Sequence, residues 1–600
     1  MRSSESILRI LAVLLAGFIV GCNQTTETTL PSTSQSINVS NSPQVLVEGA
    51  KITPLVKEPE IVTPTGVTVD DKNRIWVIEN HTHRRQKDYI GPENDRVLVF
   101  DGYIDSIGEK HITEFATDFK DGMSISLARD GKVLVTTRSS IIQFTDHDGD
   151  NVSDERTVLV SLKTEETFPH NGMSGLVLGP DGKIYFQCGE NFGASYEISG
   201  SDGKTLIGKE REGGSLYRCN MDGSNLERIG TAIWNCFAMT FDSFGNLFAV
   251  ENDPDSRPPC RLLHIVKGGN YGFQFQHGRD GLSPLTSWFG QIPGTLPMVA
   301  GTGEAPSGVL HYDLDRFGKA TKGSLLVTAW GDHEIESFKL KPKGSSFIAE
   351  PQTFVKGPKD FYPVGLALDQ KGGVIATDWA SVSYAVHGKG RIWRISNPNN
   401  DHTIKRIPSL KELSNQELIR FLNSHDIRVR TEAADVAISK PHSELKDIFL
   451  SSELSDRGMM NILWSAQINA HPDLSSFLES ALKEDNDLLR SAAVRMIIEN
   501  NIISNEQFFL DLIKNATSPF VIREAIHGLN SRAAFESVIG LFEDNDPFIH
   551  TSIIETFGKP QNVNFLLEFA RSHNSNTRLG SLLCLRRSGA EKAKKVIPAF

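Results

Sequence analysis

Cysteine is scarce in this chain. Six in 600 residues cannot staple a small disulfide-built scaffold. Basic charge has no excess either: 62 Lys and Arg face 74 Asp and Glu, for a net charge of −12. That balance lacks the basic face of a nucleic-acid binder, and no nucleic acid is expected as a partner. Long apolar runs are missing beyond the N-terminus, which excludes a polytopic membrane protein. No C-x-x-C-H occurs, so the chain has no c-type haem attachment site. What remains, 39% hydrophobic and 23% charged residues, is an ordinary globular composition. Its length corresponds to roughly four average domains.

The N-terminus reads as an address. An apolar run over 7–21 follows Arg2 and Arg9, too short to span a bilayer but suited to a signal-peptide core. It ends Ile19-Val20-Gly21-Cys22, which resembles the lipobox of bacterial lipoproteins, in which the cysteine thiol is acylated. Of the 22 residues 23–44, ten are Ser or Thr and none is Lys or Arg, the composition of a flexible tether. The expectation is a signal peptide over 1–21, lipidation of Cys22, a tether over 22–44, and a mature protein anchored to a membrane without spanning it. Asn23, rather than Asp, resembles the signal for outer-membrane sorting, with the protein facing the periplasm or the cell surface.

A pattern then recurs: apolar strand, polar turn with Gly or Asn, then a β-branched or aromatic strand. Copies lie at 66–77, 123–135, 175–186, 238–249 and 365–376, with a degenerate one at 323–327. Their turns fall near 73, 131, 182, 245, 322 and 372. Short strands with one turn residue per hairpin predict a six-bladed β-propeller over 45–397. After Pro398 the periodicity becomes helical. Arg430, Arg457, Arg490, Arg523 and Arg578 recur near 30-residue spacing, with His550 in one slot, which resembles HEAT-like repeats. An α-helical HEAT-like solenoid over 398–600 is expected, its arginines tying repeats together and its surface open to a protein partner.

Propeller geometry locates a site. In each blade the first strand starts, and the second strand ends, on one face. Residues at those points therefore ring one mouth of the central channel: Glu79, Asn80, Arg138, His170, Asn171, Glu190, Trp234, Asn235, Glu251, Asp253, Glu304, Trp330, Asp378 and Trp379. Such a gathering of polar groups and indoles suits a polar ligand. On the opposite face, Asp146, Asp148, Asp150 and Asp154 stand at positions 1, 3, 5 and 9 of a loop that resembles a calcium site, with Thr157 where a bidentate Glu is expected. A structural calcium or an empty acidic turn are both open. Among Cys188, Cys219, Cys236 and Cys260 three complete pairings exist, and Cys236–Cys260 within one blade is the hypothesis. Cys584 falls in a repeat helix.

These residues resemble the glucose/sorbosone dehydrogenase family of soluble quinoprotein-type propellers. His170-Asn171 followed by 178–185 is similar to its catalytic segment, and Asn235 with 238–245 to its next blade. The stretches 268–272 and 305–308 look like further signatures. With the lipobox and helical tail, the layout resembles membrane-bound dehydrogenases of the PVC-type haem-binding group. The resemblance implies a six-bladed oxidoreductase acting on a sugar or alcohol, with pyrroloquinoline quinone and calcium as cofactors. His170 would be the general base, Asn235 would hold the cofactor, and the backbone near Asp253 and Pro254 would face a cofactor-linked calcium. Trp234 stands where that family has an arginine, and Asp360-Phe361-Tyr362-Pro363 where further arginines are expected. A tricarboxylated quinone needs such cations.

Two other readings compete. The carboxylates and amides Glu79, Asn80, Asn171, Asn235, Glu251 and Asp378 would ring a central calcium in a lactonase- or esterase-like hydrolase. Alternatively, the chain is a non-catalytic surface scaffold that binds a glycan or a protein.

Overall fold

The computed structural model describes residues 42–105, 109–254, 259–400 and 413–596. The expected signal peptide, Cys22 and most of the tether lie outside the described residues.

The repeat resolves into six sheets, each opening on a hairpin. Blade 1 covers 64–119, blade 2 122–164, blade 3 173–233, blade 4 235–302, blade 5 306–356 and blade 6 363–396. The innermost strand of each blade packs against that of the next, and the sixth meets the first, so the ring closes. The outermost strand of blade 6 is Lys51–Lys57, from the start of the chain, paired antiparallel to Arg391–Ser396. A hairpin of Tyr196–Gly200 and Thr205–Gly208, which leaves blade 3 between its second and third strands, extends the outer edge of blade 2.

The turn that carries the repeat has a physical basis. Its hinge residues Asn73, Gly131, Gly182, Gly245, Gly323 and Gly372 all have positive φ, the region Gly and Asn tolerate. In three blades an aspartate fixes the turn. Asp70, Asp242 and Asp369 each accept backbone N–H groups from residues two and four positions on. At the opposite end every first-to-second strand pair carries a register shift, a bulge that re-aims side chains around the mouth. Apolar side chains of adjacent blades interdigitate between the sheets. Leu134 and Ile141 of blade 2, for example, join Met173, Ile184 and Phe186 of blade 3 in one buried cluster.

Thirteen helices follow among the described residues. The helices Ile427–Ile438, Asp456–Ile468, Asp487–Glu499, Pro519–Ala525 and Pro547–Phe557 pack consecutively. Their starts are capped locally: Asp426, Ser455, Asn486 and Asp546 each accept a backbone N–H of the first turn. This helical region lies on the turn-bearing face of the propeller. Arg428 donates to the carbonyls of Leu368 and Asp369 and lines the channel's lower end. Arg430, fully buried, reaches Ser243 of blade 4 at 3.1 Å as well as Asn461 of the next helix. Arg495 donates to the Gly245 carbonyl and to Glu524, and Arg523 to the Ser345 carbonyl. Of the recurring arginines, Arg430, Arg457 and Arg523 thus reach the propeller, Arg457 through Asp313 at 2.9 Å, whereas Arg578 and Arg490 stay local. No helix among the described residues is long and apolar enough to cross a membrane.

The proposed Cys236–Cys260 disulfide does not form; both are free thiols, as are Cys188, Cys219 and Cys584. Cys236 lies on the first strand of blade 4 and Cys260 on the third, with the strand of Glu251 between them. Two strand spacings amount to roughly 9.6 Å, beyond the reach of a disulfide.

Candidate functional site

The mouth residues divide into two groups. The carboxylates are structural. Glu79, Glu251 and Asp378 end the second strands of blades 1, 4 and 6, and the residues opposite them on the third strands are Arg96, Arg261 and Arg391. Each acid takes its arginine at 2.5–2.7 Å. The second oxygen accepts a backbone N–H from just before the blade's first strand: Val62, Trp234 and Tyr362 respectively. All three carboxylates are buried. Burial works to raise the Glu79 pKa, but hydrogen bonds from His81 and the Arg96 charge hold it below the usual value. Asn80 is equally committed, donating to the Gly122 carbonyl and accepting from the Thr82 and His83 amides. The carboxylates expected to ring a metal are spent on holding blades together, which removes the ligand set of the hydrolase reading.

The imidazole group is different. His170 sits in the short turn Pro169–Asn171 that leads into the first strand of blade 3. That turn is fastened on both sides. Arg138 donates to the Phe168 carbonyl at 2.8 Å, Asn235 to the His170 carbonyl at 2.6 Å, and Asn171 to Glu190. A Cβ on Gly172 would come within 2.6 Å of the Arg138 carbonyl, so the turn needs glycine there. Asn235, expected to hold a cofactor, instead places His170, and its own carbonyl accepts from Gln187. The Trp234 indole is buried against Phe273.

The His170 ring stacks on His83 at 4.3 Å and meets the edges or faces of Phe168, Phe237 and Tyr384 at 5.1–5.6 Å. Trp330 stacks on the other side of Tyr384 at 5.2 Å. All of these rings but Phe168, with Thr65, Met123, Asn252, Ser307 and Trp379, line a mouth pocket of about 740 Å3 that continues into the channel. Burial and the Arg84 charge push the His170 pKa down to about 4, and burial holds His83 well below its ordinary value. Both imidazoles are therefore neutral at pH 7, and the His83 Nε2 is buried without a partner. A neutral imidazole beside stacked aromatic faces can accept a hydrogen bond or a proton from a ligand hydroxyl. At a pKa near 4 it is a weak base, so a ligand must strengthen it to use it so.

Sequence reasoning found His170, Trp330 and Trp379 but missed His83, Phe237 and Tyr384. His83 and Tyr384 lie on loop excursions that follow no period, and only proximity to Glu79 and Asp378 could have flagged them.

The pocket does not fit a tricarboxylated quinone. Among the described residues, no lysine or arginine lines it. Arg138 is engaged with Phe168 and Asn191, and Arg279 lies over the rings of Phe192 and Trp234. The carboxylates of Glu304 and Asp253 act on Tyr384 from one side of the pocket, raising its pKa after burial has done so. Arg84 acts on His170 and Tyr384 from outside this lining, so three anionic groups would be desolvated there with little compensation from the described residues. Asp253, Cys260 and Glu304 do place ligand atoms within 4.8 Å of one another, as do Asp146, Asp148 and Asp154 on the far face. Burial and the two carboxylates raise the Cys260 pKa, so its thiol stays protonated. In the acidic loop the carboxylates accept the loop's own amides: Asp146 from Gly149 and Asn151, Asp150 from Val152, and Asp154 from His147.

Ring closure, bulged inner strands and an aromatic mouth pocket define a six-bladed propeller with a pocket at one mouth, joined to a helical region. The chain belongs to the family described as "Domain of unknown function (DUF7133)", whose profile matches residues 40–362. None of the curated proteins is significantly similar to it. Among solved structures, the PQQ domain of pyranose dehydrogenase from Coprinopsis cinerea is 12% identical. Its alignment covers 60% of this chain and 97% of that one, with a TM-score of 0.42. The PQQ-bound aldose sugar dehydrogenase from Streptomyces coelicolor is 16% identical, with 60% and 99% covered and a TM-score of 0.40. A calcium structure of a family AA12 carbohydrate-active enzyme from Trichoderma reesei is 12% identical, with 61% and 99% covered and a TM-score of 0.40. At such likeness the blade count rests on the strand pairing above, and the chemistry on the pocket.

Proposed function

We propose that the mouth pocket binds an uncharged sugar or alcohol and that the protein is a dehydrogenase-like oxidoreductase, with His170 accepting the hydroxyl proton. The observation that carries this reading is the neutral His170 ring, fixed through its backbone and left without a hydrogen-bond partner in an aromatic pocket. Aromatic faces suit the apolar faces of a sugar ring, and Asn252, Ser307 and Thr65 supply polar contacts. Oxidation also needs a hydride acceptor of low charge, since the described lining offers no cation. In the same proposal Cys22 is acylated and anchors an exported protein, and the acidic loop carrying Asp146, Asp148, Asp150 and Asp154 takes a structural calcium. The helical region has one side occupied by the propeller and keeps the other for a protein partner.

The lack of a lining cation equally supports a second reading, a glycan-binding protein without turnover. Calorimetric titration with sugars, with pyrroloquinoline quinone and with calcium separates the two, together with dye reduction. Dye reduction by some sugar or alcohol, abolished in His170→Ala, supports the oxidoreductase. Sugar binding without reduction under any added acceptor overturns it in favour of the binding protein. Micromolar quinone binding would overturn the charge argument.

A further inference from the structure

The mouth carries apolar residues that nothing covers. Ile90 is 98% exposed and Val382 70% exposed. They sit on the loops 80–94 of blade 1 and 379–390 of blade 6, joined where the Val386 amide donates to the His83 carbonyl. Beneath them Tyr89 and Val386 pack with Trp330 and Trp379, so the tips stand at the edge of the aromatic pocket. The same loops hold Arg84, Arg85, Lys87 and Lys389 against only Asp88 and Glu93, a local positive excess in a chain of net charge −12. Arg85 bonds the carbonyls of His81, Gly91 and Pro92 and so stiffens the blade 1 loop. Arg84, Lys87 and Lys389 are exposed. Exposed apolar tips ringed by cations match an anionic lipid surface, which attracts the charges and admits the side chains.

The chain path supplies an independent observation. The strand Gln44–Val45 pairs with the fourth strand of blade 5, Gln44 opposite Lys356. That fourth strand ends at the mouth, because residues 357–362 lead directly to the start of blade 6 there. The N-terminal segment therefore joins the propeller at the mouth, opposite the face that the helices cover.

We propose that the mouth face docks on an anionic phospholipid surface through Ile90, Val382 and the neighbouring cations, so that the pocket opens toward the membrane. The orienting role of the tether rests on the acylation of Cys22 proposed above; the loop chemistry does not. The ligand then enters from the membrane surface.

The test uses the full chain carrying Ile90→Trp, on phosphatidylglycerol–phosphatidylethanolamine vesicles with brominated acyl chains. Leu450→Trp, in the helical region, is the control. Stronger quenching at position 90 than at 450 is expected; equal or weaker quenching overturns the proposal. In the full chain carrying Cys22→Ser and otherwise unchanged, adding Ile90→Asp with Val382→Asp lowers co-sedimentation with these vesicles by about tenfold. An unchanged value also overturns it. Palmitate labelling, compared with Cys22→Ser, reads the anchor separately. An acylated chain with no quenching at 90 overturns docking and keeps the anchor, whereas quenching without acylation supports docking and overturns the anchor alone.

Discussion

The two faces of this ring use polar chemistry in opposite ways. On the helix-covered face, charged groups are buried in mutual contact. Arg523 is 1% exposed, bonded to Ser345 and Glu524, while Arg218 bridges Glu227 and Glu499. Even the cavity of about 760 Å3 between propeller and helices is lined by such pairs. At the mouth, Glu79, Glu251 and Asp378 are equally paired, but among the described residues the imidazole rings of His83 and His170 have no hydrogen-bond partner. Polarity that closes on itself builds structure; polarity left open inside a pocket is available to a ligand. A residue's type and its place at a strand end do not separate these cases, whereas its partners do.

The largest effects should come from opening the closed pairs. Glu251→Gln leaves Arg261 buried without its counter-charge and should cost about 3–5 kcal/mol in denaturant unfolding. Unchanged calcium binding in that variant would confirm that Glu251 is no ligand. Arg523→Ala, on the other face, should destabilise by a similar ~3 kcal/mol and expose the helical region to limited proteolysis. Resistance equal to the parent's would mean that the interface does not depend on its arginines. His170→Ala should behave differently: no hydrogen bond is lost, and stability falls only by the lost ring packing, about 1–3 kcal/mol. Any turnover should nevertheless fall by roughly 10²–10⁴-fold.

Proton dependence gives a smaller signature. His170 and His527 have folded pKa values pushed down to about 4 by burial, below the ordinary value of 6.5. The unfolded chain therefore binds protons first as pH falls. The stability contributed by keeping these rings neutral is intact above pH 6.5 and drains away between 6.5 and 4. Thermal midpoints at pH 7 and 5 should show the drop, and His527→Gln should reduce it. Smallest of all, millimolar calcium should raise the midpoint by about 2–4 °C if the acidic loop binds it, and Asp148→Asn should abolish that shift.

Much of the ring was legible because its signal is local. The turn residues from Asn73 to Gly372 sit within a few residues of the strands they join, and each needs a backbone conformation that few side chains allow. The closing strand Lys51–Lys57 and the hairpin on blade 2 were not legible, since their partners lie far along the chain. The acid–arginine pairs escaped for a related reason. Glu79 and Arg96 are 17 residues apart, Glu251 and Arg261 only 10, and Asp378 and Arg391 13, because the loop between the two strands varies. A fixed structural register thus leaves no fixed sequence spacing. His170 was found from its place before an inner strand, but the stacking of His83 against it joins blade 1 to blade 3 and is written in neither.

The strand that closes the ring also sets a schedule. Thr53 and the Arg394 carbonyl to which it bonds are 341 positions apart. At ribosomal speeds of about 5–20 residues per second, the strand Lys51–Lys57 waits roughly 20 to 70 s for its partner to be made. Until then blade 6 has no outer strand and the circle has a free edge. A chaperone that shields the leading segment, or export that keeps the chain extended until synthesis ends, would therefore govern the yield of folded protein more than any single contact in the finished ring.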